Sequence, residues 1–317
     1  MYNIENKYHY YYNKLNHNEQ IVYHQVVKAL INHQLKCKVS SLYNCNINHI
    51  MTAVKYENPY LCFVDFAKGV TYTNNEIFFN YLNYDLNKID EILESVFQNI
   101  RGKDQYTQVL YIHNSLCKRT FYDNNADNNI NAFNMYGCIV EKCSVCDGIS
   151  LAYSYILNKL NILNYVVIGY LDNIPHALNA VCINNVWCYI DVTNDLRRKD
   201  VKYTLNGRTI YPINYFYFGL TKSDLLNLNF TSKHLSHFES RIYNYMENSK
   251  LVFSSLKELE YLILTKSKSM NFIKFVYLGN ESTNEVINFA FKALGKVGYF
   301  TANSTILSGK FYTIIFE

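Results

Sequence analysis

Within the 317-residue chain, one stretch holds residue types at spacings that could perform nucleophilic chemistry. Cys146 stands where a loop gives way to a helix. Ile149, Ala152, Tyr155, Ile156 and Leu160 then recur at the helical period, and Ser144 is placed to cap it. A sulfur in a helix's first turn faces unpaired backbone N–H groups and the positive end of the helix dipole, which is a nucleophile's setting. Further on, Ala177–Ile183 and Val186–Thr193 alternate like strands around the two turn residues Asn184-Asn185. That register sets Ile183 opposite Val186, Leu178 opposite Asp191 and His176 opposite Thr193. His176 and Asp191 then share a sheet face as diagonal neighbours. A carboxylate beside an imidazole fixes its tautomer and stabilises its charged form. A one-residue slip in the turn would instead leave a surface histidine and a solvated aspartate.

Cysteine chemistry has other outlets here. Cys138-x4-Cys143-x2-Cys146 matches the ligand spacing of plant-type iron–sulfur ferredoxins, with Cys182 or Cys188 as a fourth ligand. Cys143-x-x-Cys146 alone could be a redox pair or half a zinc site. Against convergence, Cys182 and Cys188 fall on opposite faces of the expected hairpin. Cys143 could also close a reversible disulfide that silences Cys146. The nine cysteines are an odd count, and the opening residues Met1 to His9 lack an apolar leader, so free thiols in a reducing, cytoplasmic setting are expected.

The elements that must position these residues are also legible. Residues 19–35 read as a helix, and Tyr60–Val64, Val70–Thr73 and Ile77–Phe79 as strands. Ile89, Ile92, Leu93, Val96, Phe97 and Ile100 mark an amphipathic helix closed by Gly102. A further helix over 104–118 carries His113 on its apolar stripe, read as a core histidine. Residues 122–132 read as a surface loop. Beyond residue 243 the order is helix, strand, helix and hairpin, with Ser282-x-x-Glu285 as a capping box and Ser308-Gly309 between the last two strands. The expected division is an N-terminal α/β region over 1–103, a core over 104–242 and a C-terminal α/β appendage over 243–317.

Composition narrows the classes. With 49% hydrophobic residues, 18% charged and three prolines, the chain is not disordered. No run approaches the ~18 uncharged apolar residues of a membrane span. The net charge of +4 comes without a basic stripe, so nucleic acid is not an expected partner. The 31 tyrosines against one tryptophan, with abundant asparagine, follow A/T-rich codon usage; Tyr10-Tyr11-Tyr12 is read as that bias.

The stretch Asn134-Met-Tyr-Gly-Cys-Ile-Val-Glu-Lys-Cys-Ser-Val-Cys-Asp-Gly-Ile-Ser-Leu-Ala152 resembles the nucleophile segment of the bacterial transglutaminase-like superfamily. His176-Ala-Leu-Asn179 and Trp187-Cys-Tyr-Ile-Asp-Val-Thr193 resemble its histidine and aspartate segments, and Glu57-Asn-Pro-Tyr-Leu-Cys-Phe63 and Tyr215–Asp224 resemble flanking ones. The resemblance covers about residues 8–240. It implies an α+β, papain-like fold with the cysteine helix against an antiparallel sheet. It implies a Cys146–His176–Asp191 triad attacking peptide or protein amides, the thioester passing to water or to an amine. Leu178, Asn194 and Ile149 depart from the family's aromatic residues, which touches substrate preference. The oxyanion would be held by the Cys146 N–H and an upstream donor, for which Tyr136 is the candidate. No cofactor is required, and no acidic loop of the calcium-binding kind is present. A non-catalytic interaction module on the same fold is the alternative.

Overall fold

The computed structural model describes residues 8–40, 42–197, 203–205, 208–210, 212–268, 272–296, 298–306 and 309–316. Its architecture is α+β, built around the helix Cys146–Lys159, whose residues from Gly148 to Asn158 are all buried. A helix apolar on every side belongs inside a domain. It packs on one flank against the helix Gln105–Arg119 and on the other against the strands Asn164–Leu171 and Ile174–Ile183. Those strands belong to a five-stranded sheet in the order Phe218–Leu220, Val186–Ile190, Ile174–Ile183, Asn164–Leu171, Phe230–Thr231. Every neighbouring pair is antiparallel.

The hairpin has the register its sequence predicts, Ile183 opposite Val186, through to Asn179 opposite Ile190. Asn184 and Asn185 make this possible: both lie in the left-handed region, at φ 46° and 66°, as a primed two-residue turn demands. Asparagine tolerates that region better than most residues. The second strand ends sooner than expected, at Ile190. Asp191 caps the short helix Val192–Asp195 instead, its carboxylate accepting the Asn194 N–H. Aspartate's preference for helix N-caps over ladder positions accounts for the exit.

The N-terminal elements pack into the same hydrophobic core as the cysteine helix. The helices His17–Ile31, Ile47–Glu57 and Asn87–Ile100 contribute Val26, Leu30, Ile50, Val54, Ile89 and Leu93 to it. Gly102 follows at φ 72° and turns the chain into the next helix, capped by Asp104. Tyr60–Val64 is not a strand. Pro59–Leu61 forms a single 3-10 turn, and every residue from Glu57 to Asp65 is buried. A short apolar run buried on all sides has no periodicity to separate turn from strand, and Pro59 at the first helical position settles it. The 122–132 stretch holds two 3-10 turns rather than open loop.

Residues 243–317 carry a second, four-stranded sheet ordered Val252–Phe253, Phe272–Tyr277, Gly309–Phe316, Gly298–Ile306. Helices Leu256–Lys266 and Thr283–Leu294 close its own core through Leu259, Ile263, Val286 and Ala290. Ser282 and Glu285 form the predicted capping box. Ser308, expected in the last turn, lies outside the described residues, and Gly309 opens the final strand. Phe216 stacked on Phe311 at 4.0 Å links this sheet to the rest of the structure.

Glu57 ties the N-terminal segment down. Its Oε1 accepts the N–H groups of Tyr11 at 2.5 Å and Tyr12 at 3.3 Å, while Oε2 has no hydrogen-bond partner among the described residues. Burial outweighs those bonds and raises its pKa from 4.5 to about 7. The fold therefore favours the protonated acid, and stability is lost as pH rises from 4.5 through about 7. The shift corresponds to about 3 kcal/mol. Urea denaturation across that window should show the loss in the wild type, and Glu57→Gln should flatten the curve.

Candidate active site

Three elements bring the predicted catalytic residues together, Cys146 and His176 lining one cleft and Asp191 buried against His176. Cys146 is the first residue of its helix and is half-buried. Ser144 does not cap that helix. Its hydroxyl donates to the Ala132 carbonyl at 2.6 Å, and Val145 takes the cap position with no side-chain bond. The first-turn N–H groups beside the sulfur are therefore not occupied by a capping side chain, which leaves them to a ligand.

His176 comes from the strand Ile174–Ile183, opposite Gly169 on the neighbouring strand. Its Nε2 lies 2.7 Å from Asp191 Oδ2, and both side chains are largely buried, 10% and 4% exposed. With Nε2 committed to the carboxylate, Nδ1 remains for the sulfur. Burial alone would lower the imidazole pKa. Asp191, then the hydrogen bond and charge of Cys146, overcome that and raise it from 6.5 to about 10. Two charges of opposite sign favour the imidazolium more than desolvation penalises it.

Asn194 was legible only as a missing aromatic. In the structure it clamps Asp191: its Nδ2 donates to Asp191 Oδ2 at 2.8 Å and its backbone N–H to Oδ1 at 3.1 Å. The Asp-x-x-Asn spacing of an N-cap and its third helical residue was the available signal. Asp191 N–H in turn donates to the Tyr217 carbonyl at 3.0 Å, which fixes the aspartate to the segment before the edge strand.

The cleft at Cys146 and His176 has a volume of about 1000 Å3 and is walled by Tyr56, Tyr122, Asp147, Tyr170 and His234, among others. Asp147, next to Cys146, accepts from Lys55 Nζ and from Tyr56 Oη, the latter at 2.9 Å. Tyr122 lies in a two-residue strand paired in parallel with Cys143–Ser144 and lines the same cleft as Cys146. Burial, followed by the charges of Cys146 and Asp191, raises the Tyr122 pKa, so its hydroxyl stays a proton donor.

Tyr136 is elsewhere. It is 8% exposed, its ring stacks on Tyr84 at 4.1 Å, and its N–H donates to Asn134 Oδ1 at 2.9 Å. The cleft lining does not include it. With its N–H already used and its ring inside the core, it cannot serve as the oxyanion donor assigned to it. Leu178 is buried in the second hydrophobic cluster, and the cleft lining does not include it.

No disulfide joins any of the nine cysteines. Cys138 is buried and within 3.4 Å of the Thr120 hydroxyl, Cys143 hydrogen-bonds Asp123, and Cys182 pairs across the hairpin with Trp187 while Cys188 faces Val181. The cysteines of the ferredoxin-like spacing therefore do not converge. Among the described residues, no group of three or more His, Cys, Asp or Glu side chains is placed to hold a metal. No helix among them is long and apolar enough to cross a membrane.

No family model and no curated protein matches the chain. Solved structures are similar to part of it. One, described as a TGase, is 24% identical over 34% of this chain and 31% of its own length, with a TM-score of 0.30. A candidate cysteine protease from Cytophaga hutchinsonii is 20% identical over 33% of this chain and 37% of its own, with a TM-score of 0.29. The matched stretch is thus about a third of either structure.

Proposed function

We propose that the chain is a cysteine-dependent enzyme with a papain-like, transglutaminase-like core that attacks peptide or protein amide carbonyls. The observation that carries this reading is the 2.7 Å His176–Asp191 bond in the same cleft as a sulfur at an uncapped helix start. In this reading Cys146 sulfur adds to the carbonyl carbon, and the electron pair moves to the carbonyl oxygen. On collapse the C–N bond breaks, and the His176 imidazolium gives its proton to the departing amine. The thioester is then taken by water or by an amine, with His176 as the base. Asp191, held by Asn194, keeps the imidazole oriented throughout.

The backbone N–H of Cys146 and the Tyr122 hydroxyl are the proposed oxyanion donors, Tyr122 standing where Tyr136 was expected. Loss of one such donor costs about 10²–10³ in turnover. Tyr122→Phe should therefore lower kcat by about that factor while changing KM little, measured by steady-state kinetics on any substrate found.

The reaction class is decided by mass spectrometry of a peptide library incubated with the protein, with and without a primary amine. Chain cleavage, a one-dalton deamidation or an amine adduct each names one outcome of the same thioester. No modification of any peptide by the wild type, relative to Cys146→Ala, would count against the reading.

A further inference from the structure

His113 and Asp195 are fully buried, lie outside the cleft lining and take no part in the proposed reaction. A buried ion pair adds little net stability over apolar residues of the same volume. What such a replacement would lose is hydrogen-bond geometry, and here that geometry leads to the cleft. His113 Nε2 lies 3.0 Å from Asp195 Oδ2, which leaves Oδ1 to accept the Tyr217 N–H at 3.1 Å. The carbonyl of the same tyrosine accepts the Asp191 N–H at 3.0 Å. Asp191 Oδ2 in turn lies 2.7 Å from His176 Nε2. A chain of polar contacts thus runs unbroken from the interior to the cleft histidine, and both backbone polar groups of Tyr217 belong to it.

The two aspartates also bracket one short helix. Asp191 caps Val192–Asp195, and the Asp195 N–H donates to the Asp191 carbonyl at 3.3 Å. A helix of one turn has too few internal bonds to hold its own geometry. It is held from outside: the Cys117 thiol donates to the Val192 carbonyl at 3.8 Å, and the Asn214 N–H to the Asp195 carbonyl at 3.1 Å.

We infer that Asp195, oriented by His113, is a positioning residue for Asp191: by fixing Tyr217 it sets where the Asp191 carboxylate meets His176. Asp195 is absent from the cleft lining, so it acts through Tyr217 and not on the substrate. The inference rests on the catalytic reading of His176 and Asp191.

The readout is the titration of His176 in the full chain, followed by NMR with carbon-13 at histidine Cε1 and assigned by the signal lost in His176→Gln. Asp191 and Cys146 act electrostatically on His176, while His113, Cys117, Asp191 and Lys274 lie within electrostatic range of Asp195. Charge must therefore be separated from position. Asp195→Asn removes the charge but keeps an acceptor for the Tyr217 N–H and a donor for a neutral His113. His113→Leu/Asp195→Leu fills the volume and removes the acceptor, and Asp195→Ala removes it without added bulk. Leu30→Ala, in the fully buried core and away from the cleft lining, serves as a destabilised control.

The His176 midpoint, about 10 in the wild type, should fall by about one pH unit or more in the double variant and in Asp195→Ala, the scale expected when a partner carboxylate is withdrawn. Asp195→Asn and Leu30→Ala should leave it in place. An unmoved midpoint in the double variant and in Asp195→Ala, or an equal fall in Asp195→Asn or Leu30→Ala, would overturn the positioning role while leaving the triad intact. A His176 midpoint that does not move in Asp191→Asn would instead remove the pairing on which that role rests.

Discussion

Cys146→Ala should abolish amide turnover, a loss of at least about 10⁴-fold. No other described thiol is placed to replace it: Cys138 and Cys188 are buried, and burial raises each of their pKa values to about 12. His176→Ala should cost nearly as much, and the double variant little more than either, because nucleophile and base act as one unit. Asp191→Asn is the more informative change. It keeps a hydrogen-bonding side chain but removes the charge that, with Cys146, holds the His176 pKa at about 10. In the proposed mechanism activity needs the imidazolium as proton donor, so it is present below that value and falls as pH rises through it. The alkaline limb of kcat should therefore lie near pH 10 in the wild type and move toward 6.5 in Asp191→Asn. Turnover should drop by about 10²–10⁴ at neutral pH. A limb that stays in place would remove Asp191 from the account.

The second large effect concerns stability. His113 and Asp195 are both fully buried and 3.0 Å apart, His113 Nε2 to Asp195 Oδ2. Cys117 lies 3.7 Å from the same nitrogen, and Asp195 also accepts the Tyr217 N–H at 3.1 Å. Burial disfavours the imidazolium, but the contacts with Cys117 and the Asp195 carboxylate outweigh it and hold the His113 pKa up. His113→Ala strands a buried carboxylate and should destabilise the protein by about 3–5 kcal/mol in urea denaturation. The double variant His113→Leu/Asp195→Leu removes both charges and should cost less than the sum of the single changes. Strict additivity would contradict the pairing. Because the His113 pKa is raised, the contribution of His113 is complete below the ordinary histidine value and is lost as pH rises through the folded one, while burial also raises the Asp195 pKa.

The contrast between the two histidines shows what a sequence reveals. His176 and Asp191 are joined by a hairpin whose turn residues announce themselves, so their meeting followed from register alone. It survived even though Asp191 leaves the ladder to cap a helix. His113 was recognisable as a core residue from its helical stripe. Its partner is far along the chain and carries no mark of the pairing. Tyr136 failed for the same reason, since the ring it stacks on, Tyr84, comes from a separate segment. The Ser144 cap failed because a serine hydroxyl has several possible acceptors, and the Ala132 carbonyl is the one within reach. Local chemistry with a fixed spacing is written in the sequence, whereas contacts between distant segments are settled by packing.

The central claim is that Cys146 is an activated nucleophile and that His176 activates it. Alkylation by iodoacetamide near neutral pH, with the modified cysteine located by mass spectrometry, tests it most directly. Cys146 should react at least about tenfold faster than the other eight cysteines, and His176→Ala should remove most of that advantage. Comparable rates at all nine cysteines, or a Cys146 rate indifferent to His176→Ala, would contradict it.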